Sequence, residues 1–266
     1  IMIGSAAHLS FMDFLENTGF AVLFILVVLI LLMKIVYEKK IELGTVDTGA
    51  IEKLDPSKSI TNRALMKKGI IVLICVIVGF MFHDKLGIES SVIALTAAAV
   101  MLIIGREDVN EAIQDVEWTT ILFFMSLFVV VGGLTETGII KELASKIIDA
   151  TNGHPIVTML VLLWASALLS SILDNIPFVA TLIPLILAMQ ADGIDVTSFW
   201  WAISLGACLG GNGTMIGASA NVVLSDISTK HGYPITFKSY LKVGMPFMLL
   251  SIVISTVFLV VKFDIM

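Results

Sequence analysis

A carboxylate, Asp174, and its neighbour Asn175 interrupt the stretch "SSILDNIPFVATLIPLI" (Ser170–Ile186), which is otherwise apolar on both sides. An ionisable side chain at membrane depth is expensive and marks a functional site by default, as a proton carrier or a cation ligand. Ser170, Ser171 and Thr181 add hydroxyl groups to the same stretch. A second polar group follows at "GGNGTMIGASAN", which supplies Gly211, Asn212, Gly213, Thr214, Gly217, Ala218, Ser219 and Asn221. Clustered glycines beside two asparagines and a threonine fit an unwound stretch in a broken helix. Its freed carbonyls can hold a cation, and the N-termini of its half-helices can face an anion. Together these residues point to the binding of a small ion.

Each group also has a purely structural alternative. Asp174 followed by Pro177 is a good helix-start pattern, with the carboxylate as N-cap. The glycines would equally suit a close helix–helix crossing. Other chemistries are excluded more firmly. No lysine follows the glycines in the manner of a phosphate loop. No second acidic residue lies deep in an apolar block, as a membrane aspartyl protease requires, so no enzyme is expected. Cys75 and Cys208 lack metal-type spacing, and no cofactor is expected. The formal net charge of −6, with no basic stripe, argues against a nucleic-acid partner.

The elements that must carry these groups are membrane helices. The 266 residues are 58% hydrophobic and 14% charged, far from the composition of a soluble domain. The apolar blocks predict spans over Phe20–Val36, Gly69–Phe82, Ser91–Ile104, Trp118–Leu134 and Met245–Val261. Gly69–Phe82 is short and must borrow flanking residues. Thr137–Thr151 mixes Lys141, Glu142, Lys146 and Asp149 with isoleucines and a leucine, the pattern of an amphipathic interfacial helix. Trp118, Trp200 and Trp201 are expected in the interfacial aromatic belt, His83 and His154 at segment ends, and Glu136 at the start of the interfacial helix.

Basic residues set the topology. With the polar segment at residues 37–68 in the cytoplasm, twelve lysines and arginines fall inside and four outside. That split requires residues 156–189 to enter and leave on one side, as a re-entrant hairpin tipped by Asp174–Asn175. It also requires a broken helix at about 198–226 to cross once. The expected fold is an all-α polytopic membrane protein, an inverted-repeat ion transporter.

"LSFMDFLENTGFAVLFILVVLILLMK" (Leu9–Lys34) parallels "ITFKSYLKVGMPFMLLSIVISTVFLVVK" (Ile235–Lys262). Matching the copies pairs "IMIG" with "VVLS". Residues 1–36 are then expected to close a first repeat, 37–68 to be a linker, and 69–266 to form a second repeat. An N-terminal repeat of the same protein is expected to complete the architecture and half the site.

"LDNIPFVATLIPLI" and "GACLGGNGTMIGASANVV" resemble the second repeat of ArsB/NhaD-type permeases of the ion transporter superfamily. That group takes in arsenite permeases, NhaD-type antiporters, P-protein relatives and proteins with the citrate-transporter-like domain. "IMIGSA" is similar to the residues after the first repeat's Gly-Asp-Pro-Pro-Asn motif. The resemblance implies a homodimer in the lipid bilayer, elevator-type alternating access, and a small ion substrate. The setting expected is a prokaryotic inner or plasma membrane. In symporter relatives a Ser-Asn-Thr hairpin tip binds sodium and a carboxylate. Asn175 matches its Asn, while Asp174 replaces the Ser and Ile176 the Thr; Ala218 and Ser219 stand where those symporters have Thr-Pro. A carboxylate at the tip suits a sodium or proton step, and sodium is expected near Asp174, Asn175 and Gly217. A sodium-coupled carboxylate symporter and an ion channel are the rival functions.

Overall fold

The computed structural model describes residues 2–38, 62–106, 108–116, 118–230 and 232–264. The described residues form helices and turns without strands, an all-α polytopic membrane architecture. The central part of the expected linker, residues 39–61, lies outside them. The chain divides into two compact units. One comprises Ser10–Asp13 and Val27–Trp118, the other Met2–Leu9, Phe14–Leu26 and Thr119–Met266.

In the first unit α4 (Arg63–Leu86) packs against α5 (Ser90–Gly105). The apolar run from Gly69 borrows its flanks as expected: α4 takes in Arg63–Lys68 before it and His83–Leu86 after it, reaching 24 residues. Charged side chains with long stems snorkel at such ends. Lys68 does so usefully, since its ammonium donates to the Ile104 carbonyl at 2.6 Å. A cation on the last turn of α5 complements the helix dipole. Gly79 on α4 admits Ile93 of α5 closely; a β-carbon there would lie 3.0 Å from its side chain. A short helix α6 (Val109–Gln114) follows, capped by Asp108, whose carboxylate accepts from the Asn110 N–H.

The second unit holds both polar groups. Helix α7 (Trp118–Glu136) ends at a 70° bend, and α8 (Ile139–Ala150) begins. Gly138 makes the corner with φ +79°, a left-handed conformation that favours glycine. Glu136 therefore closes α7 rather than opening the interfacial helix. α8 buries Ile140 and Ala144 and exposes Lys141, Glu142 and Lys146. Then come α9 (Pro155–Ser170), α10 (Asn175–Ala191), α11 (Thr197–Gly210), a 3-10 turn (Gly211–Gly213), α12 (Ser219–Lys230) and α13 (Phe237–Asp264). The unit's core joins α9, α10, α11 and α13 through Met159, Leu163, Ile186, Met189, Phe199, Ile203, Met248, Ile252 and Leu259. Trp200 and Trp201 are not belt residues. They are 4% and 3% exposed and belong to this core, with Trp201 edge-on to Phe14 at 5.2 Å. Two adjacent tryptophans next to Phe199 bury more apolar area in a core than an interface could use. Trp118 is half-exposed, and its indole N–H caps the Ile113 carbonyl.

Two helices pass through proline. Pro184 lies inside α10 and Pro246 inside α13, so neither stops its helix. Pro177, in the first turn of α10, does serve as start punctuation.

The N-terminal part carries α1 (Met2–Ala7), α2 (Phe11–Phe14), a π turn (Leu15–Gly19) and α3 (Phe20–Tyr37). Phe11–Tyr37 is long and apolar enough to span a bilayer, as are Arg63–His83 and Phe237–Phe263. The two sequence copies share local geometry. α1 stops at His8 (φ +52°), and the Leu9 N–H returns to the Gly4 carbonyl at 2.9 Å. α12 is followed by Gly232 (φ +87°), and the Tyr233 N–H returns to the Ser228 carbonyl at 2.9 Å. Each is a Schellman ending. Both copies then restart with a hydroxyl cap. Ser10 Oγ accepts from the Asp13 N–H, and Thr236 Oγ1 from the Ser239 N–H, each at 3.2 Å. These bonds pair Gly4 with Ser228, three residues beyond the register of "IMIG" with "VVLS".

Candidate ion-binding site

The hairpin arms are short. α9 has 16 residues and α10 has 17. At 1.5 Å per residue each reaches about 25 Å, less than the ~30 Å of a hydrocarbon core. α9 starts with Pro155 at its first position and runs to Ser170. Asp174 then resets the backbone to ψ 139° and starts α10. Its carboxylate accepts from the Ile176 N–H at 3.1 Å. Asp174 is thus an N-cap, and it remains partly accessible, as does Asn175.

The break after α11 follows from its glycines. Gly206 and Gly210 face α9 so closely that a methyl group on Gly210 would collide with the Ala167 carbonyl. The small-residue crossing and the broken helix therefore coexist: the crossing occupies the end of α11, and the break begins immediately after it. At Thr214 the backbone becomes extended, with φ −131° and ψ 165°. Helical structure resumes at Ser219.

Three contacts join the hairpin end to this segment. The Ser170 hydroxyl, fully buried, donates to the Ala207 carbonyl at 2.7 Å. The Thr214 hydroxyl donates to the Ser171 carbonyl. Gly217 sits against both elements. A β-carbon there would lie 2.7 Å from the Gly211 carbonyl oxygen, 2.8 Å from that of Ser171 and 3.0 Å from that of Ser170. Three carbonyl oxygens from two elements thus crowd the face of Gly217 so closely that only a glycine fits, and they bring hard oxygen donors together at one place.

Of the expected site residues, Ser170, Ser171, Gly211, Gly213, Thr214, Gly217 and Asn221 come together here. Ala218 flanks Gly211, Ser219 is exposed at the start of α12, and the Asn212 carbonyl packs on Gly244. Asp174 and Asn175 stand at the hairpin tip; Asp174 is joined to α10 by the cap bond and by its carbonyl, which accepts from the Phe178 N–H at 3.3 Å. Thr181 turns away from the cluster, its hydroxyl donating to the Phe178 carbonyl of its own helix. The Ser171 hydroxyl likewise donates within its helix, to Leu168.

Residues of α13 that the sequence motifs did not single out also shape the site. A β-carbon on Gly244 would sit 2.7 Å from the Asn212 carbonyl, and one on Gly213 would sit 2.9 Å from the Met248 methyl. The glycine two residues before Pro246, in an apolar helix, was the available signal. Among the described residues no group of three His, Cys, Asp or Glu side chains could hold a metal ion. A cation here would depend on carbonyl oxygens.

The family model described as citrate transporter matches residues 1–206, through the hairpin and into α11. The chain belongs to the citrate transporter family. Its relatives include the 46 kDa membrane protein of Mycobacterium leprae, 34% identical over 269 residues, covering 100% of this chain and 63% of that protein. An uncharacterized transporter of Mycobacterium tuberculosis is 35% identical over 271 residues, 99% of this chain and 62% of its own length. The P protein of Mus musculus is 35% identical over 223 residues, 79% of this chain and 27% of its own. The chain thus spans less than two thirds of the length of the mycobacterial relatives it matches. No solved structure matches it. The family and these relatives fall within the ArsB/NhaD-type superfamily, the group that the two motifs resemble. This citrate transporter family member is a multi-pass integral membrane protein.

Proposed function

We propose that the chain supplies one half of the site of an ion-coupled transporter for a small inorganic ion or anion, with sodium or a proton as coupling ion. The convergence of the Ser170, Ser171 and Gly211 carbonyls beside Gly217 carries the proposal. It gathers partial negative charge from the hairpin and the broken helix in one place, so a cation coordinated by these oxygens would tie the two elements together. Asp174 at the neighbouring tip adds a group able to take a proton or a second cation. The N-termini of α10 and α12 offer the positive ends of helix dipoles to an anion.

Residues 156–189 act as the re-entrant hairpin and 198–226 as the broken helix of a second repeat spanning 69–266. An N-terminal repeat provides the matching half, and movement is elevator-like within a homodimer in a prokaryotic plasma membrane. The family's description favours a second reading, a sodium-coupled carboxylate symporter. The carboxylate of Asp174 in place of a serine at the hairpin tip favours the inorganic substrate, because it repels a bound carboxylate.

The test uses the full-length transporter in proteoliposomes, with arsenite, citrate and sodium as candidate substrates and with sodium and proton gradients imposed separately. One substrate is expected to saturate and to follow one gradient, and Asp174→Asn is expected to abolish that coupling. Full activity of Asp174→Asn with unchanged sodium and pH dependence refutes the role of Asp174. Flux that fails to saturate and shows single-channel steps refutes the transporter reading in favour of a channel.

A further inference from the structure

Asn221 stands one turn into α12, yet its side chain reaches back across the break. Its amide nitrogen donates to the Gly211 carbonyl at 3.0 Å and to the Thr214 carbonyl at 3.1 Å. The two acceptors fix which way the amide points. Turned over, the side-chain oxygen would face two carbonyl oxygens, an arrangement with no proton between them. The amide therefore works here as a donor, one hydrogen to the start of the segment that leaves helical geometry and one to its middle.

We infer that Asn221 is a positioning residue, which holds the broken segment and aims the Gly211 carbonyl, and is not itself an oxygen ligand of the ion. Two features support the inference independently of each other. First, the segment Gly211–Ala218 leaves the α-helical ladder for a 3-10 turn and then extended backbone, so side-chain donors help to satisfy its carbonyls at membrane depth. Asn221 supplies two of these, to Gly211 and Thr214. Second, the Gly211 oxygen held by Asn221 is one of the three that converge beside Gly217. Losing the amide would let that oxygen turn away while leaving the Ser170 and Ser171 carbonyls in place.

The link to ion binding rests on the proposed function, but the positioning role can be read without it. Full-length protein in lipid nanodiscs is compared as wild type, Asn221→Ala and Asn221→Asp. Hydrogen exchange of peptides covering 206–225 is expected to rise about tenfold or more in Asn221→Ala, with the α9 and α13 peptides unchanged. Unchanged exchange across 211–218 overturns the positioning role. Sodium chloride is then titrated against choline chloride, with thermal stability as readout. A ligand role for Asn221 predicts that Asn221→Asp, with its added negative charge, binds sodium more tightly. The positioning role predicts the opposite sign, a half-saturating sodium concentration raised about tenfold in both variants, because donors are lost and a carboxylate faces two carbonyls. Tighter sodium binding by Asn221→Asp overturns the inference. A wild type that sodium does not stabilise overturns the sodium reading of the proposed function, and the exchange result alone then decides the role of Asn221.

Discussion

Gly217→Ala tests the carbonyl convergence most directly, because its effect is steric. Gly217 has no positive φ, so alanine meets no backbone strain there. What the new methyl meets is three oxygens at 2.7, 2.8 and 3.0 Å, where ordinary contact begins at 3.4 Å. All three belong to backbone carbonyls and cannot rotate away as a side chain would. Two are also restrained, that of Gly211 by Asn221 and that of Ser171 by Thr214. Overpacking of this kind costs about 1–3 kcal/mol. Breaking one of the restraining hydrogen bonds adds about 1 kcal/mol. The expected loss is therefore about 2–4 kcal/mol, seen as a lowered melting temperature in detergent or nanodiscs. Transport should fall further than stability explains, since the methyl fills the point on which the oxygens converge. Gly133→Ala is the control. Nothing lies within 4 Å of its β-carbon position, and it sits inside α7. A helical Gly→Ala change without a clash is expected to be neutral or to gain up to about 1 kcal/mol. If Gly217→Ala melts and transports like wild type, the three carbonyls do not converge as described.

Two other perturbations test the surroundings of the site. Trp164→Phe removes the indole N–H that donates to Thr256 Oγ1 at 3.0 Å between α9 and α13; a loss of about 0.6 kcal/mol is expected in thermal melts, the typical worth of such a bond in a membrane protein. In the loop before α11, the Thr197 hydroxyl and then its backbone N–H hold the Asp195 carboxyl below its ordinary range. A lowered folded-state pKa gives stability that is present above the unfolded pKa and fades as pH falls through the folded one. Wild type should therefore exceed Asp195→Asn in melting temperature at neutral pH, with the gap closing in acid below about pH 4; a gap that persists there refutes the assignment.

The two helices on either side of Asp174 were legible because their ends are written locally. Pro155 begins one arm and Asp174 caps the other, and both signals act within one helical turn. The broken helix was legible for a related reason: three glycines in four residues cannot sustain a helix against the entropy they bring. Boundaries erred where charge was read as an end. α4 and α13 extend through lysines, because those side chains snorkel while their backbones stay helical. Trp200 and Trp201 misled because tryptophan suits both a belt and a core, and only packing against Phe14 and the rest of the core decides. The carbonyl convergence could not be read at all. Carbonyls carry no sequence signature, and the elements that bring Ser170 and Gly217 together lie far apart along the chain.

The matched stop-and-start geometry at Gly4–Asp13 and Ser228–Ser239 has a consequence for synthesis. Every bond in it links residues no more than five positions apart. Each lead-in can therefore form as soon as its own residues clear the ribosome, without waiting for a partner helix. The bond between Thr214 and Ser171 must wait for the intervening hairpin arm and α11 to be made. The long helices that follow the two lead-ins thus take their starting points from their own residues alone, whereas the contact between Thr214 and Ser171 depends on elements 43 residues apart.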